Sequence, residues 1–152
     1  MKIRIRHGRV IDPISARDEL ADVFIDGERI VAVGRQPSGF KSDREIDASG
    51  CIICPGFTDL GARLREPGFE YKATIQNELS AAAASGFVNV CCTPDTDPVV
   101  DTPAVVELIY QRARGVRGAR VHCIGALTRG LEGQVLAEMH ALKDIGCISA
   151  ST

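Results

Sequence analysis

Several groups of residues in this chain carry side chains suited to chemistry, and each suits a different kind. The run Pro55-Gly56-Phe57-Thr58-Asp59-Leu60-Gly61-Ala62-Arg63-Leu64-Arg65-Glu66-Pro67-Gly68 places two arginines at alternate positions. Guanidinium groups are fixed cations that grip carboxylates bidentately, so Arg63 and Arg65 suit an anion contact or, more plainly, two solvated loop cations. Asp95, Asp97 and Asp101 form an acidic loop. Their spacing lacks the glycine and closing glutamate of a calcium loop, which leaves solvated negative charge ahead of a helix. Arg112, Arg114, Arg117 and Arg120 follow the end of a helical segment, where cations suit the helix dipole. Cys51-Ile52-Ile53-Cys54 has the C-x-x-C spacing of zinc and redox sites. It encloses two isoleucines, runs into Pro55-Gly56 and has no second ligand pair, so buried strand is the expectation. His7, His122 and His140 are scattered. His122, in an apolar strand beside Cys123, is expected to be a hydrogen-bonded core residue, and the other two to lie on the surface.

The elements that must position these residues change character near residue 55. Before it the pattern is β: Ile3, Ile5 and Val10-Ile11 up to Asp12-Pro13, then Val23-Phe24-Ile25 and Ile30-Val31-Ala32-Val33 around a turn at Asp26-Gly27, then Ile46 and Ile52-Ile53. After it, strands alternate with helices. Strand 57–60 precedes a helix over 70–85, with Ile75, Leu79, Ala82 and Ala83 on one face and Gly86 as its stop. Strand 87–92 precedes a second helix, opened by Thr102 as N-cap and Pro103, with Val105, Leu108 and Ile109 as its stripe. Strand 120–125 precedes a third helix over 131–145, stopped by Gly146, and 147–150 begins a fourth strand. This order predicts a parallel sheet covered by helices, repeating at the spacing of a (β/α)8 barrel. A whole barrel takes about 250 residues, so the expectation is a truncated one.

Composition bounds the rest. The chain has 152 residues, 45% hydrophobic and 25% charged, with 18 Lys and Arg against 20 Asp and Glu. That balance gives no footprint for nucleic acid or for an acidic membrane surface. No apolar stretch reaches the roughly 18 residues of a membrane span. The start, Met1-Lys2-Ile3-Arg4-Ile5-Arg6, lacks the apolar core of a secretory signal. A cytoplasmic location is expected, with the six cysteines reduced.

The run from Pro55 to Gly68 resembles the strand-one motif P-G-x-x-D-x-H-x-H-x-R-x-P-G of the cyclic amidohydrolases, and most closely of the dihydroorotases. Thr93-Pro94-Asp95-Thr96-Asp97-Pro98-Val99-Val100-Asp101-Thr102-Pro103 resembles that family's P-N-T-x-P-V-x-D-x-P loop after strand two. Gly8-Arg9-Val10-Ile11-Asp12-Pro13 and Asp26-Gly27-Glu28-Arg29-Ile30 are similar to its N-terminal β segment. The resemblance implies an α/β chain. Residues 1–54 would be an incomplete, β-sandwich-like domain, and 55–152 the first four strands and three helices of an amidohydrolase TIM barrel.

By the same resemblance, active members open a cyclic amide with a zinc-bound hydroxide. Two histidines on strand one hold the metal, while an arginine and a loop asparagine hold the substrate carboxylate. Here the histidine positions are Gly61 and Arg63, the asparagine position is Asp95, and only Arg65 matches. Glycine has no ligand atom, and arginine is a cation without an acceptor. A carboxylate at Asp95 repels an anionic substrate. The metal-ligand positions are therefore vacated, Arg65 and Asp95 mark a vestigial carboxylate site, and no catalytic residue, metal or cofactor is expected. Asp59 and the Arg65-Glu66-Pro67-Gly68 turn are expected to persist for folding. The implied function is a non-catalytic dihydroorotase-like protein of pyrimidine biosynthesis, a structural partner of aspartate transcarbamoylase or a self-associating chain. The alternatives are an active zinc-dependent dihydroorotase or related amidohydrolase with ligands outside this chain, and an anion-binding module using Arg65.

Overall fold

The computed structural model describes residues 1–152, which divide into two compact units, Met1–Pro55 and Gly56–Thr152. The first is a five-stranded sheet of β1 (Lys2–Asp12), β2 (Arg17–Asp26), β3 (Arg29–Val33), β4 (Arg44–Asp47) and β5 (Ile52–Ile53). β1 pairs antiparallel with β2 and parallel with both β4 and β5, and β2 pairs antiparallel with β3. The two-residue loop between β2 and β3 needs positive φ, and Gly27 supplies it at 62°. Val10, Val23, Phe24, Phe40 and Ala48 are buried, with the Phe24 and Phe40 rings edge to face at 5.3 Å. β1 bulges between Ile5 and Gly8, and His7 sits there at φ 63°.

The second unit alternates strand and helix: β6 (Phe57–Ala62), α1 (Ile75–Ala84), β7 (Phe87–Cys92), α2 (Pro103–Ala113), β8 (Arg120–Ala126), α3 (Met139–Asp144) and β9 (Ser149–Ser151). Its sheet has the order β6-β7-β8-β9, parallel throughout. This is the parallel half-barrel that the strand and helix alternation predicts. Val90 and Cys92 of β7 and Cys123 of β8 pack with Ile75 and Leu79 of α1 and Val105, Val106 and Ile109 of α2. Burying each such branched side chain is worth about 1.5–3 kcal/mol, which holds the short helices on the sheet.

Three elements differ from the sequence expectation. α1 begins at Ile75 rather than 70, because Thr74 takes the N-cap and its hydroxyl accepts the Asn77 N–H at 3.3 Å. Residues 70–73 form a turn instead, where Glu70 accepts the Gly68 N–H at 3.0 Å. The third helix is reduced to α3, preceded by a 3-10 turn over Arg129–Leu131. Gly130, Leu131 and Gly133 all adopt positive φ, which a right-handed helix cannot carry. Finally, Cys51 and Cys54 are exposed rather than buried in a strand, because β5 spans only the two isoleucines between them. All six cysteines are free thiols, and Cys91, Cys92 and Cys123 are the buried ones.

Candidate functional site

In a (β/α)8 architecture the reactive groups sit at the C-terminal ends of the parallel strands. β6 ends at Ala62, and the residues singled out by the motif cluster there and on the loop after β7. Thr93 ties the two together, since its N–H donates to the Ala62 carbonyl at 3.1 Å and its hydroxyl oxygen lies 3.3 Å from the same carbonyl. The same hydroxyl lies 2.5 Å from Asp95 Oδ1, which braces that carboxylate. Asp95 Oδ2 then meets Arg63 Nε at 2.9 Å. Arg63 and Asp95, which the motif comparison singled out, are therefore partners in one ion pair.

Gly61 lies on β6, where its N–H donates to Asp59 Oδ1 at 2.9 Å. A Cβ added at Gly61 would meet nothing within 4 Å, so the position has room for a side chain but holds none. Arg65 is half-buried at φ 67°, and its guanidinium makes no ion pair. Its carbonyl accepts the Phe69 N–H at 2.8 Å. The structure thus brings Gly61, Arg63 and Asp95 to one strand end. Arg65 follows Gly61 and Arg63 on the chain, and Asp95 pairs with Arg63 instead.

Zinc does not fit these residues. It needs lone pairs from nitrogen, sulfur or oxygen. Gly61 offers none, Arg63 offers a permanent positive charge, and the Asp95 carboxylate is already committed to that charge. No three His, Cys, Asp or Glu side chains converge anywhere in the chain as a metal site. Cys92, at the end of β7, is no nucleophile either: burial pushes its thiol up to about 11. His122 stands on β8 with Nε2 3.1 Å from Asn89 Oδ1, hydrogen-bonded as expected, but it is half-buried and outside the apolar core rather than within it, because its neighbour Cys123 takes the face toward the helices.

The motif's remaining residues hold the strand end in place. Glu66 is only 8% exposed, and its Oε2 accepts the N–H of Ile75, the first residue of α1, at 2.8 Å. Oε1 lies 3.4 Å from Arg112 Nε on α2. Gly68 abuts the Asp97 backbone so closely that a Cβ there would fall 2.3 Å from the Asp97 carbonyl oxygen. Sequence reasoning named this turn as a folding element but not the Glu66 clasp. It also treated Arg63 and Asp95 as separate losses, although the exchange of two neutral positions for opposite charges was a signal of pairing.

A family model described as "Dihydro-orotase-like" matches residues 50–151. The chain belongs to the dihydroorotase-like family. Among its curated relatives is a "Dihydroorotase-like protein" of Pseudomonas putida, 50% identical over 149 residues that make up 98% of this chain and 35% of the relative. A protein of the same description from Pseudomonas aeruginosa is 48% identical over the same share. A "Dihydroorotase" of Syntrophotalea carbinolica is 43% identical over 151 residues. The chain therefore spans about a third of the length of these relatives. Among solved structures, the L-hydantoinase (dihydropyrimidinase) of Arthrobacter aurescens superposes with a TM-score of 0.75 at 20% identity, covering 97% of this chain and 32% of that one. The D-hydantoinase of Bacillus sp. AR9 gives 0.70 at 26% identity, over 94% and 30%. These likenesses carry the amidohydrolase fold across both units of the dihydroorotase-like chain.

Proposed function

We propose that this dihydroorotase-like chain is non-catalytic and serves pyrimidine biosynthesis as a structural partner of aspartate transcarbamoylase. The observation that carries the reading is the Arg63–Asp95 ion pair, which fills strand one's ligand position with a cation and neutralises it from within. A metal-bound hydroxide needs a Lewis acid held by lone pairs, and an anionic substrate needs donors rather than a carboxylate. The site as built has no group to hold that Lewis acid, and of the two carboxylate-binding positions only Arg65 keeps a donor. What it does offer is a rigid strand end, with Thr93 binding to Ala62, Glu66 to α1 and Gly68 to the Asp97 backbone. A surface that keeps its architecture while its reactive groups are neutralised is suited to holding a partner. Two relatives described only as dihydroorotase-like, at 50% and 48% identity, support the same reading.

The test has three measurements. Elemental analysis of the purified chain is expected to find no bound zinc. The double variant Gly61→His with Arg63→His is expected to hydrolyse no dihydroorotate, because Asp95 still faces the substrate carboxylate. Aspartate transcarbamoylase is expected to co-purify with the chain when the two are co-expressed. Stoichiometric zinc that is lost on substituting residues near β6, or appreciable turnover by the unaltered chain, would restore the hydrolase. Failure to co-purify would remove the partner.

A further inference from the structure

β1 changes partner part-way along its length. Its residues 3–6 pair with β4 and residues 9–10 with β5, and both chains leave the ladder between those stretches. On β1 the break is the bulge at His7, where φ is 63° and the N–H donates to Asp22 Oδ1 at 3.0 Å. On the other side a turn over residues 48–51 joins β4 to β5, closed by the Cys51 N–H on the Ala48 carbonyl at 2.9 Å. Bulges of this kind re-aim a side chain. Here the two breaks face each other and three donor atoms meet. His7 Nδ1 lies 3.4 Å from Asp47 Oδ1 and 3.5 Å from Ser49 Oγ, and Ser49 Oγ lies 2.6 Å from the same Asp47 oxygen. The Ser49 N–H fixes that oxygen further, at 3.0 Å. Asp47 is held down to about 2, so it is a carboxylate wherever an imidazole is neutral enough to ligate.

We propose that His7 Nδ1, Asp47 Oδ1 and Ser49 Oγ form one face of a site for a divalent first-row transition-metal ion of the nickel type. The inference is independent of the reading of the β6 end, because all three residues belong to the first unit. Ligands held about 2.1 Å from one ion stand about 3.0–3.4 Å apart, close to two of the three separations here. The third opens when the Ser49–Asp47 hydrogen bond gives way to the ion. One imidazole nitrogen with two oxygens suits nickel or cobalt. Calcium wants about six to eight oxygens and no nitrogen. The ring proton moves to Nε2 on binding, which costs little in a side chain 56% exposed. The protein fills one face and water the other, so the ion exchanges freely and is taken up by titration, not carried through purification.

Titration of the unaltered chain with nickel(II) at pH 7.5, followed by nuclear magnetic resonance, tests the site. The paramagnetic ion is expected to broaden the amide signals of His7, Asp47 and Ser49 first, and to saturate at one ion per chain. His7→Asn tolerates the left-handed backbone and removes the imidazole. It and Asp47→Asn are each expected to weaken binding at least about tenfold. Two controls bear on rival ligands. His140 Nε2 lies 3.3 Å from Asp144 Oδ2, and Cys51 and Cys54 are exposed thiols. His140→Ala, and Cys51→Ser with Cys54→Ser, are each expected to leave the affinity unchanged. Circular dichroism of each variant checks that it folds, and the titration of the unaltered chain locates the ion without any variant. Broadening centred on His140 or on the two cysteines, broadening that never saturates, no broadening at all, or full affinity in a folded His7→Asn chain would each overturn the proposal.

Discussion

Replacing Glu66 by alanine tests the claim that the strand-one turn persists for structural reasons. The carboxylate is nearly buried, accepts the Ile75 N–H at 2.8 Å and faces Arg112 Nε at 3.4 Å. Ile75 is the first residue of α1 and is itself fully buried, so its N–H is one of the helix's orphan donors and has no water to turn to. Deleting the acceptor removes a hydrogen bond to a charged group, worth about 1.5–3 kcal/mol, and strands that donor. The Arg112 contact adds little, because its side chain is 62% exposed and such pairs contribute about 0.5 kcal/mol. Glu66→Ala is therefore expected to cost about 2–3 kcal/mol, roughly 30- to 160-fold in the folding equilibrium. Glu66→Gln keeps an acceptor but loses the charge that favours a helix N-terminus, and should cost about 1 kcal/mol. Arg112→Ala should cost about 0.5 kcal/mol. Urea unfolding followed by circular dichroism, at one fixed protein concentration, gives the three differences. Amide exchange at Ile75 locates them. If Glu66→Ala stays within about 0.5 kcal/mol of the parent with Ile75 equally protected, the clasp does not hold α1.

Other consequences are open to measurement. A double-mutant cycle on Arg63→Ala and Asp95→Ala should give a coupling of about 0.5 kcal/mol that fades with added salt, as expected for a pair whose arginine is 62% exposed; a coupling of zero at low salt would mean the two side chains do not meet in solution. A thiol reagent at pH 8 should modify Cys51 and Cys54 at once, while Cys92 and Cys123, which burial pushes up to about 11 and about 12, should react only on unfolding; mass spectrometry of the labelled peptides decides. Asp47 is held down to about 2 by the Ser49 hydroxyl and N–H and, less strongly, by His7, from an ordinary value of 3.8. Its folded-state value is depressed, so its contribution to stability should be whole above pH 4 and vanish as the pH falls through about 2. Asp47→Asn should flatten that part of the acid-unfolding curve, and an unchanged curve would contradict the assignment.

The fold was legible where the pattern is local. Alternating isoleucines announced β1, and the β-branched run at 87–92 announced β7. Apolar spacing placed Val105 and Ile109 on the buried side of α2, where the structure has them. That Gly61 and Arg63 offer no lone pair to a metal was legible too, because it is a property of glycine and arginine as residue types. What local pattern could not settle was backbone handedness in the loop before α3. Residues 131–138 look helical by composition, but Gly130 and Gly133 turn the chain left-handed and α3 starts only at Met139. The exposure of Cys51 and Cys54 escaped for a related reason, since two isoleucines suffice for a β5 that leaves its flanking residues outside.

By itself the sequence determined the order of strands and helices and the chemical character of each position at the end of β6. Those follow from side-chain type and short-range periodicity, which every window of the chain carries. Only the tertiary structure decided that Arg63 and Asp95 are partners and that Glu66 reaches the first N–H of α1. Parallel pairing sets the end of β6 beside the end of β7, so the loops leaving the two strands come within hydrogen-bonding reach although a whole helix separates them in the chain. An ion pair depends on that distance, and the distance exists only once the sheet's register has been fixed by the packing of α1 and α2 beneath it.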